Sequence, residues 1–198
     1  MVDIKNVRTS GAYVLYRGLF VFQVGPTNDG DKLGVVRLGG HRENNETALE
    51  TAKREVFEEA SVHINPVSSK VTFYLKEWDD NPNEVQIIDD ISPVLIKGIE
   101  PSFTVMYLSY TNTQPHPTSE SHGLLMLSPN DVHRICNNEF TLNDFQKQDG
   151  LFIIKKKIDR NLVLQPFPQL LFLSKLLIEE PELMNYYLKH PFPCNSTS

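Results

Sequence analysis

Stretches of hydrophobic residues, separated by short polar segments, predict a layered fold with many strands and a few helices. Strands are indicated where Val, Tyr, Phe and Leu cluster between Gly, Pro, Asn and Asp. We predict strands over 11–24 (two, divided at Arg17-Gly18), 35–38, 71–78, 84–88, 93–98, 103–110, 124–127 and 151–158. We predict helices over 46–60, 129–136, 141–148 and 168–188, the last broken near Pro181. This mixture is typical of an α/β or α+β fold with a mixed sheet.

The chain has 198 residues, which is enough to bury one hydrophobic core. We predict a single domain over residues 1–198, with a core over about 8–160 and a C-terminal helical extension over about 161–198. The polar segments 25–33 and 111–121 are predicted loops. Residues 165–169, QPFPQ, are interpreted as a proline-rich entry to the last helix.

Charge and cysteine content narrow the functional classes. The formal net charge is −6, which argues against broad binding to nucleic acid or to a membrane surface, because both require a basic face. An anionic ligand must then be attracted by a local feature such as a bound cation. The two cysteines, Cys136 and Cys194, are predicted to be reduced. The first ten residues lack the apolar segment of a signal peptide, so a cytoplasmic location is expected.

Three glutamates share one face of the helix predicted over 46–60. With Glu55 as the origin and about 100° per residue, Glu58 lies about 60° to one side and Glu59 about 40° to the other. An adjacent apolar stripe can pack on a sheet. Its members are Leu49, Ala52, Val56 and Ala60. Because neighbouring carboxylates repel one another, a hard divalent cation such as Mg²⁺ or Mn²⁺ is the natural partner.

A solvated acidic helix face is the alternative interpretation of these glutamates. The flanking residues favour a binding site instead. Gly39 and Gly40 end the strand predicted over 35–38 and start a loop towards the helix, and glycine lets backbone approach a ligand closely. Arg54 directly precedes Glu55 and places a cation beside the acids.

The segment 40–62, GHRENNETALETAKREVFEEASV, resembles the Nudix box, G-x5-E-x7-R-E-U-x-E-E-x-G-U, in which U is a bulky aliphatic residue. The matching residues are Gly40, Glu46, Arg54, Glu55, Val56, Glu58, Glu59 and Val62. An accidental match at all these positions has a probability on the order of 1 in 10⁸ per start site. The resemblance implies the family's α/β/α sandwich with a mixed sheet. Ser61 replaces the last glycine of the box, which costs about 1 kcal/mol where a left-handed backbone is needed.

The resemblance also implies roles for individual residues. Glu55, Glu58 and Glu59 would bind Mg²⁺ or Mn²⁺. Arg54 would orient a carboxylate, and Glu46 would support the start of the helix; a structural ion pair is the simpler interpretation of these two. Members of the family hydrolyse a nucleoside diphosphate linked to another moiety, with water attacking phosphorus.

Candidates for phosphate binding flank the start of the box. Gly39 and Gly40 offer close backbone approach, and Arg37 and Arg42 offer positive charge. Surface salt bridges are the equal alternative for the two arginines.

The loop predicted over 111–121 contains a further candidate. Glu120 is a candidate metal ligand or general base, and an ordinary surface acid is the alternative. His116 and His122 lie beside it in sequence and are expected to face solvent.

Two classes of function remain open. The first is an active pyrophosphohydrolase acting on a small nucleotide-like diphosphate, and the complete acid set favours it. The alternative is a catalytically silent nucleotide-binding sensor or regulator with the same fold, and isomerisation of a diphosphate ester is a third hypothesis.

Trp78 or Tyr74 is a candidate for stacking on a base, with core packing preferred for both. No stable nucleic-acid or membrane partner is expected, and a homodimer is one assembly that the resemblance allows.

Overall fold

The computed structural model describes Ile4 and residues 7–189. Within these residues the chain forms twelve strands and five helices. The strands are β1 (Val7–Tyr16), β2 (Leu19–Pro26), β3 (Leu33–Val36), β4 (Leu38–His41), β5 (Asn65–Val67), β6 (Thr72–Leu75), β7 (Asn83–Val85), β8 (Leu95–Lys97), β9 (Phe103–Thr111), β10 (Gly123–Leu127), β11 (Leu151–Ile154) and β12 (Leu164–Pro166). The helices are α1 (Ala48–Ala60), α2 (Pro129–Asn137), α3 (Leu142–Lys147), α4 (Pro168–Glu179) and α5 (Pro181–Lys189).

The strands form a mixed sheet, as predicted. Its main path runs β11-β10-β2-β1-β9-β8-β6-β7, with β1 parallel to β9 and most other neighbours antiparallel. At Arg37 the chain leaves β3, which pairs with β2, and enters β4, which pairs with β1. This switch brings the glycine pair Gly39-Gly40 against the backbone of β1.

Helices cover both faces of the sheet, because alternate side chains of each strand point to opposite layers. Val14 packs with Ala52 and Val56 of α1 on one face. Tyr13 and Leu15 pack on the other face, beneath α2 to α5. The architecture is therefore the α/β/α sandwich that was predicted.

Local sequence explains where α1 begins and ends. Thr47 caps the first turn: its side chain accepts from Glu50 N–H, and Glu50 reaches back to the Thr47 N–H at 2.8 Å. The apolar stripe expected at Ala52, Val56 and Ala60 is buried against β1 and β4. The helix begins two residues after the predicted start at 46, because Thr47 is its cap.

Several sequence-based boundaries are wrong, among them the ends of the strands predicted over 71–78 and 84–88, which stop at Leu75 and Val85. Gly39 and Gly40 do not follow a strand but lie inside β4, in register with Gly11 and Ser10. The strand predicted over 151–158 ends at Ile154, because the N–H groups of Lys155 and Lys156 donate to the carbonyl of His122 instead of continuing the ladder.

The C-terminal helices pack into the main core. Leu170 and Leu173 of α4 belong to the same buried cluster as Phe22 and Leu33. The segment before α4 contains a strand that sequence reasoning missed: β12 pairs in parallel with β3.

Two further expectations concern membrane-spanning segments and the state of the cysteines. No helix of the described residues is long and apolar enough to cross a membrane. Cys136 is a free thiol, as expected, and burial raises its pKa to about 11. Cys194 lies outside the described residues.

Candidate metal and substrate site

The glycine pair of β4 lies directly under the acidic side of α1. Any side chain at Gly40 would collide with the carboxylate of Glu55. Gly39 has φ 145°, a conformation that favours glycine, and a side chain there would meet the Arg37 guanidinium. Gly39 is therefore required by the close approach of the β1 backbone at Ser10 and Gly11, whereas a side chain at Gly40 would displace the Glu55 carboxylate.

Arg54 connects the acids of this site. Its Nε lies 2.7 Å from Glu46 Oε1, and its Nη1 lies 2.9 Å from Glu55 Oε1 and 2.8 Å from Glu58 Oε2. Its Nη2 also donates to the carbonyl of His41 at 2.9 Å. The predicted ion pair of Arg54 with Glu46 is confirmed, and the same guanidinium orients two of the three candidate metal ligands.

The Arg54 contacts explain the protonation state of Glu46. Hydrogen bonds from Arg54 lower the pKa of Glu46 to about 2, and the backbone N–H of Glu43 contributes in the same direction. Glu46 is therefore ionised at neutral pH and stays paired with Arg54.

Among the carboxyl groups of the described residues, Glu59 has the largest shift in pKa. Burial raises its pKa to about 8, and the nearby charge of Glu55 adds to the shift. The backbone N–H of Gly39, which donates to Glu59 Oε2 at 2.7 Å, and the side chains of Gln23 and Arg37 oppose it. A nearby positive charge stabilises the ionised form of a partly buried carboxylate that lies beside another acid.

Arg37 supplies part of that charge from inside the protein. Arg37 is only 8% exposed. Burial lowers the pKa of its guanidinium, and the nearby charge of Glu59 opposes this shift. Of the two equal interpretations of Arg37, the surface salt bridge is therefore wrong, since the side chain lies beneath the glycine pair, and phosphate binding stays a prediction. Arg42 instead holds the loop before α1, with Nε donating to the carbonyl of Glu46 at 2.6 Å.

The carboxylates suit a hard cation in their donor chemistry. In the described part of the chain, no three His, Cys, Asp or Glu side chains converge as a ready-made metal cluster. Arg54 holds one oxygen each of Glu55 and Glu58, and Gly39 N–H holds one of Glu59. A cation bound here would share these oxygens with Arg54 or replace it.

The loop between β9 and β10 docks on the C-terminal end of α1. The N–H of His116 donates to the carbonyl of Ala60 at 2.9 Å, and that of Thr118 to the carbonyl of Glu59 at 3.4 Å. This contact places the exposed Glu120 on the wall of a cavity that Gln23, the partner of Glu59, also lines.

The neighbouring histidines have different surroundings. His116 is exposed, as expected. His122 is not fully solvent-facing, because its ring packs closely against Gly25 and lines the same cavity.

Ser61 adopts the left-handed conformation expected at the end of α1, with φ 56° and ψ 31°. We predict that Ser61→Gly raises the free energy of unfolding by about 1 kcal/mol, because glycine has no Cβ to strain in this conformation. Urea denaturation followed by circular dichroism measures the change. Ser119→Gly is the control: Ser119 lacks a positive φ, so glycine there gives no gain. Equal effects in both variants would contradict the prediction.

The aromatic candidates behave as core residues. Tyr74 packs on the α1 face of the sheet and its hydroxyl donates to the carbonyl of Gly98 at 3.0 Å. Trp78 packs at the edge of the opposite core. Sequence reasoning missed Gln23, because only strand register brings this ordinary strand residue to Glu59.

The comparisons with known proteins concern the fold. No protein-family model matches this sequence, and no curated protein matches it. A NUDIX-family hydrolase from Clostridium perfringens is similar in structure, with a TM-score of 0.51 and 14% identity over 92% of this chain and 97% of that one. The chain therefore has the α/β/α Nudix fold.

Two further solved structures are more distant. A possible asymmetric diadenosine tetraphosphate hydrolase from Jonesia denitrificans has a TM-score of 0.49 and 12% identity over 92% of this chain and 98% of that one. An ADP-ribose pyrophosphatase from Streptococcus suis has a TM-score of 0.43 and 14% identity over 86% and 89%, respectively.

Proposed function

We propose that this protein is a metal-dependent hydrolase that cleaves a diphosphate linkage in a nucleoside diphosphate joined to another moiety. One observation carries the proposal: Glu55, Glu58 and Glu59 lie side by side on α1 above the glycine pair, with Arg54 bound to two of them. Burial raises the pKa of Glu59 to about 8, and a cation bound beside it would stabilise its ionised form.

Each residue then has a physical task. Bound Mg²⁺ or Mn²⁺ would neutralise phosphate charge and activate water. Glu55, Glu58 and Glu59 provide the oxygen donors that hold such a cation. Arg54 orients Glu55 and Glu58 through charge-assisted hydrogen bonds, and the Gly39 N–H orients Glu59.

Glu120 is the proposed general base. We expect Glu120→Gln to lower kcat at least tenfold, because an amide cannot accept the proton of the attacking water. The measurement is steady-state hydrolysis of a cleaved substrate across pH 6–9. Glu139→Gln, an equivalent change at another exposed loop acid, is the control and should leave kcat unchanged. An unchanged rate for Glu120→Gln would assign the base to another residue.

The decisive experiment is a substrate panel. The purified protein is incubated with ADP-ribose, dinucleoside polyphosphates, nucleotide sugars and nucleoside triphosphates, with Mg²⁺, with Mn²⁺ and with EDTA. Cleavage of any compound that requires the metal supports the proposal and names the substrate class. If the protein binds metal and nucleotide but cleaves nothing, the catalytically silent sensor is the better explanation.

A further inference from the structure

A cavity of about 420 Å³ opens beside Gln23 of β2. Its walls come from the β2–β3 hairpin, the loop before β10, and the segment joining β12 to α4. Gln23 connects this cavity to the candidate metal site, because it lines the cavity and its side chain lies close enough to Glu59 to lower the pKa of that carboxyl group. A ligand that reaches the carboxylates can therefore extend into the cavity.

Phe167 provides an aromatic surface at this cavity. It lies at the N-cap of α4, and its ring packs so closely on Gly34 that a side chain at that position would collide with it. Its N–H donates to the carbonyl of Val35 at 3.2 Å, and prolines precede and follow it. The backbone is thus held rigidly, while 36% of the residue remains exposed. A fixed, exposed phenyl ring is suited to stacking on a planar group.

Polar groups beside the ring are neutral or acidic. Gln165, exposed on β12 in register with Gly34, offers an amide donor and an acceptor. Glu120 and Asp29 are the acids of the cavity, and none of the described residues that line it is Lys or Arg. Such a lining offers no positive charge to a phosphate and accepts an uncharged, planar group with hydrogen-bonding edges.

We infer that this cavity binds the base of the substrate, with Phe167 stacking on the base and Gln165 hydrogen-bonding its edge. The diphosphate then extends past Gln23 to the carboxylates of α1. This assignment rests on the proposed function for the identity of the substrate as a nucleoside diphosphate derivative. It gives Gln165 and Phe167, which lie in the segment interpreted from sequence only as an entry to the last helix, a role in substrate selection.

A second cleft competes for the base. It is larger, about 600 Å³, and is lined by Trp78 and Lys97 near His41. Lys97 is paired with Glu77 at 3.0 Å, and Trp78 is partly buried against the core. This cleft also borders the candidate metal site, because the carbonyl of His41 accepts from Arg54 at 2.9 Å, but its indole ring, Trp78, is less exposed than the ring of Phe167. We therefore place the base at Phe167.

Ligand binding by full-length variants tests the inference. Isothermal titration calorimetry with Mg²⁺ measures the affinities of ADP, GDP, CDP, UDP and inorganic pyrophosphate. The nucleotide that binds best should bind about tenfold more weakly to Phe167→Ala, which corresponds to the loss of one stacking contact. Phe167→Trp should retain the affinity, and Gln165→Met should change the preference among bases. Pyrophosphate affinity should stay the same in all three variants.

Two controls keep the test decisive. Phe167→Leu preserves the apolar contact with Gly34 and replaces Phe167→Ala if that variant does not fold. Trp78→Leu alters the competing cleft and should leave nucleotide affinity unchanged. Nucleotides that bind no better than pyrophosphate, or a nucleotide affinity that depends on Trp78 and not on Phe167, would overturn the inference.

These experiments distinguish a failure of the inferred base site from a failure of the proposed hydrolase activity. If a metal-dependent hydrolase binds its nucleotide equally well without the Phe167 ring, the base site is wrong and the hydrolase stands. If nucleotide binding depends on Phe167 but the substrate panel shows no cleavage, the base site stands and hydrolysis fails.

Discussion

Glu58→Gln is expected to reduce turnover of a cleaved diphosphate substrate by about a hundredfold or more, a loss of about 3 kcal/mol in transition-state stabilisation. The side chain of Glu58 is 40% exposed on α1. The amide keeps a nearly identical shape and an oxygen that can accept from Arg54. The change therefore removes one negative charge from the candidate metal site and leaves the packing of the helix intact.

Three measurements separate this effect from damage to the fold. Thermal unfolding should be close to that of the parent, the affinity for Mn²⁺ measured by calorimetry should fall, and kcat should fall with it. Glu43→Gln is the matched control, since it makes the same change at an exposed acid before α1. A parental rate in Glu58→Gln would show that the acidic face of α1 does not hold the catalytic metal.

Arg54→Ala is expected to reduce both stability and activity. Its guanidinium contacts Glu46, Glu55 and Glu58, and its side chain is only 21% exposed. Removal leaves these carboxylates to repel one another with fewer donors, which we expect to cost about 2 kcal/mol in the free energy of unfolding. Activity should fall at least tenfold, because Glu55 and Glu58 lose the group that orients them.

A divalent cation should partly restore the stability of Arg54→Ala, because it supplies the positive charge that the variant lacks. Urea denaturation with and without Mg²⁺ tests this compensation. Arg54→Lys, which keeps the charge but cannot bind two carboxylates in a fork, should lie between the parent and Arg54→Ala. Lys53→Ala, at the exposed neighbouring position, should behave as the parent. An Arg54→Ala protein with parental stability and rate would show that the ion-pair cluster contributes nothing.

Several features of the site follow from interactions between residues close in sequence. The start of α1 depends on Thr47 and Glu50, three residues apart, and the left-handed end depends on the position of Ser61. The shared face of Glu55, Glu58 and Glu59 follows from helical periodicity alone. These features were predictable because a helix fixes the relation between residues one turn apart.

Other features were not predictable, because they depend on which strands become neighbours. Arg37 looked like a surface residue but is buried, since the switch from β3 to β4 turns it beneath Gly39. The assignment of Gly39 and Gly40 to a loop was wrong for the same reason: their pairing with β1 is a contact between distant segments.

The sequence by itself determined the class of fold and the acidic face of α1. Only the tertiary structure decided which groups surround that face. It brought Gln23 to Glu59, Glu120 to the same cavity, and Phe167 against Gly34. The physical reason is the range of the interactions: caps and helical spacing act within about four residues, whereas these contacts depend on sheet register and on packing between residues far apart in the chain.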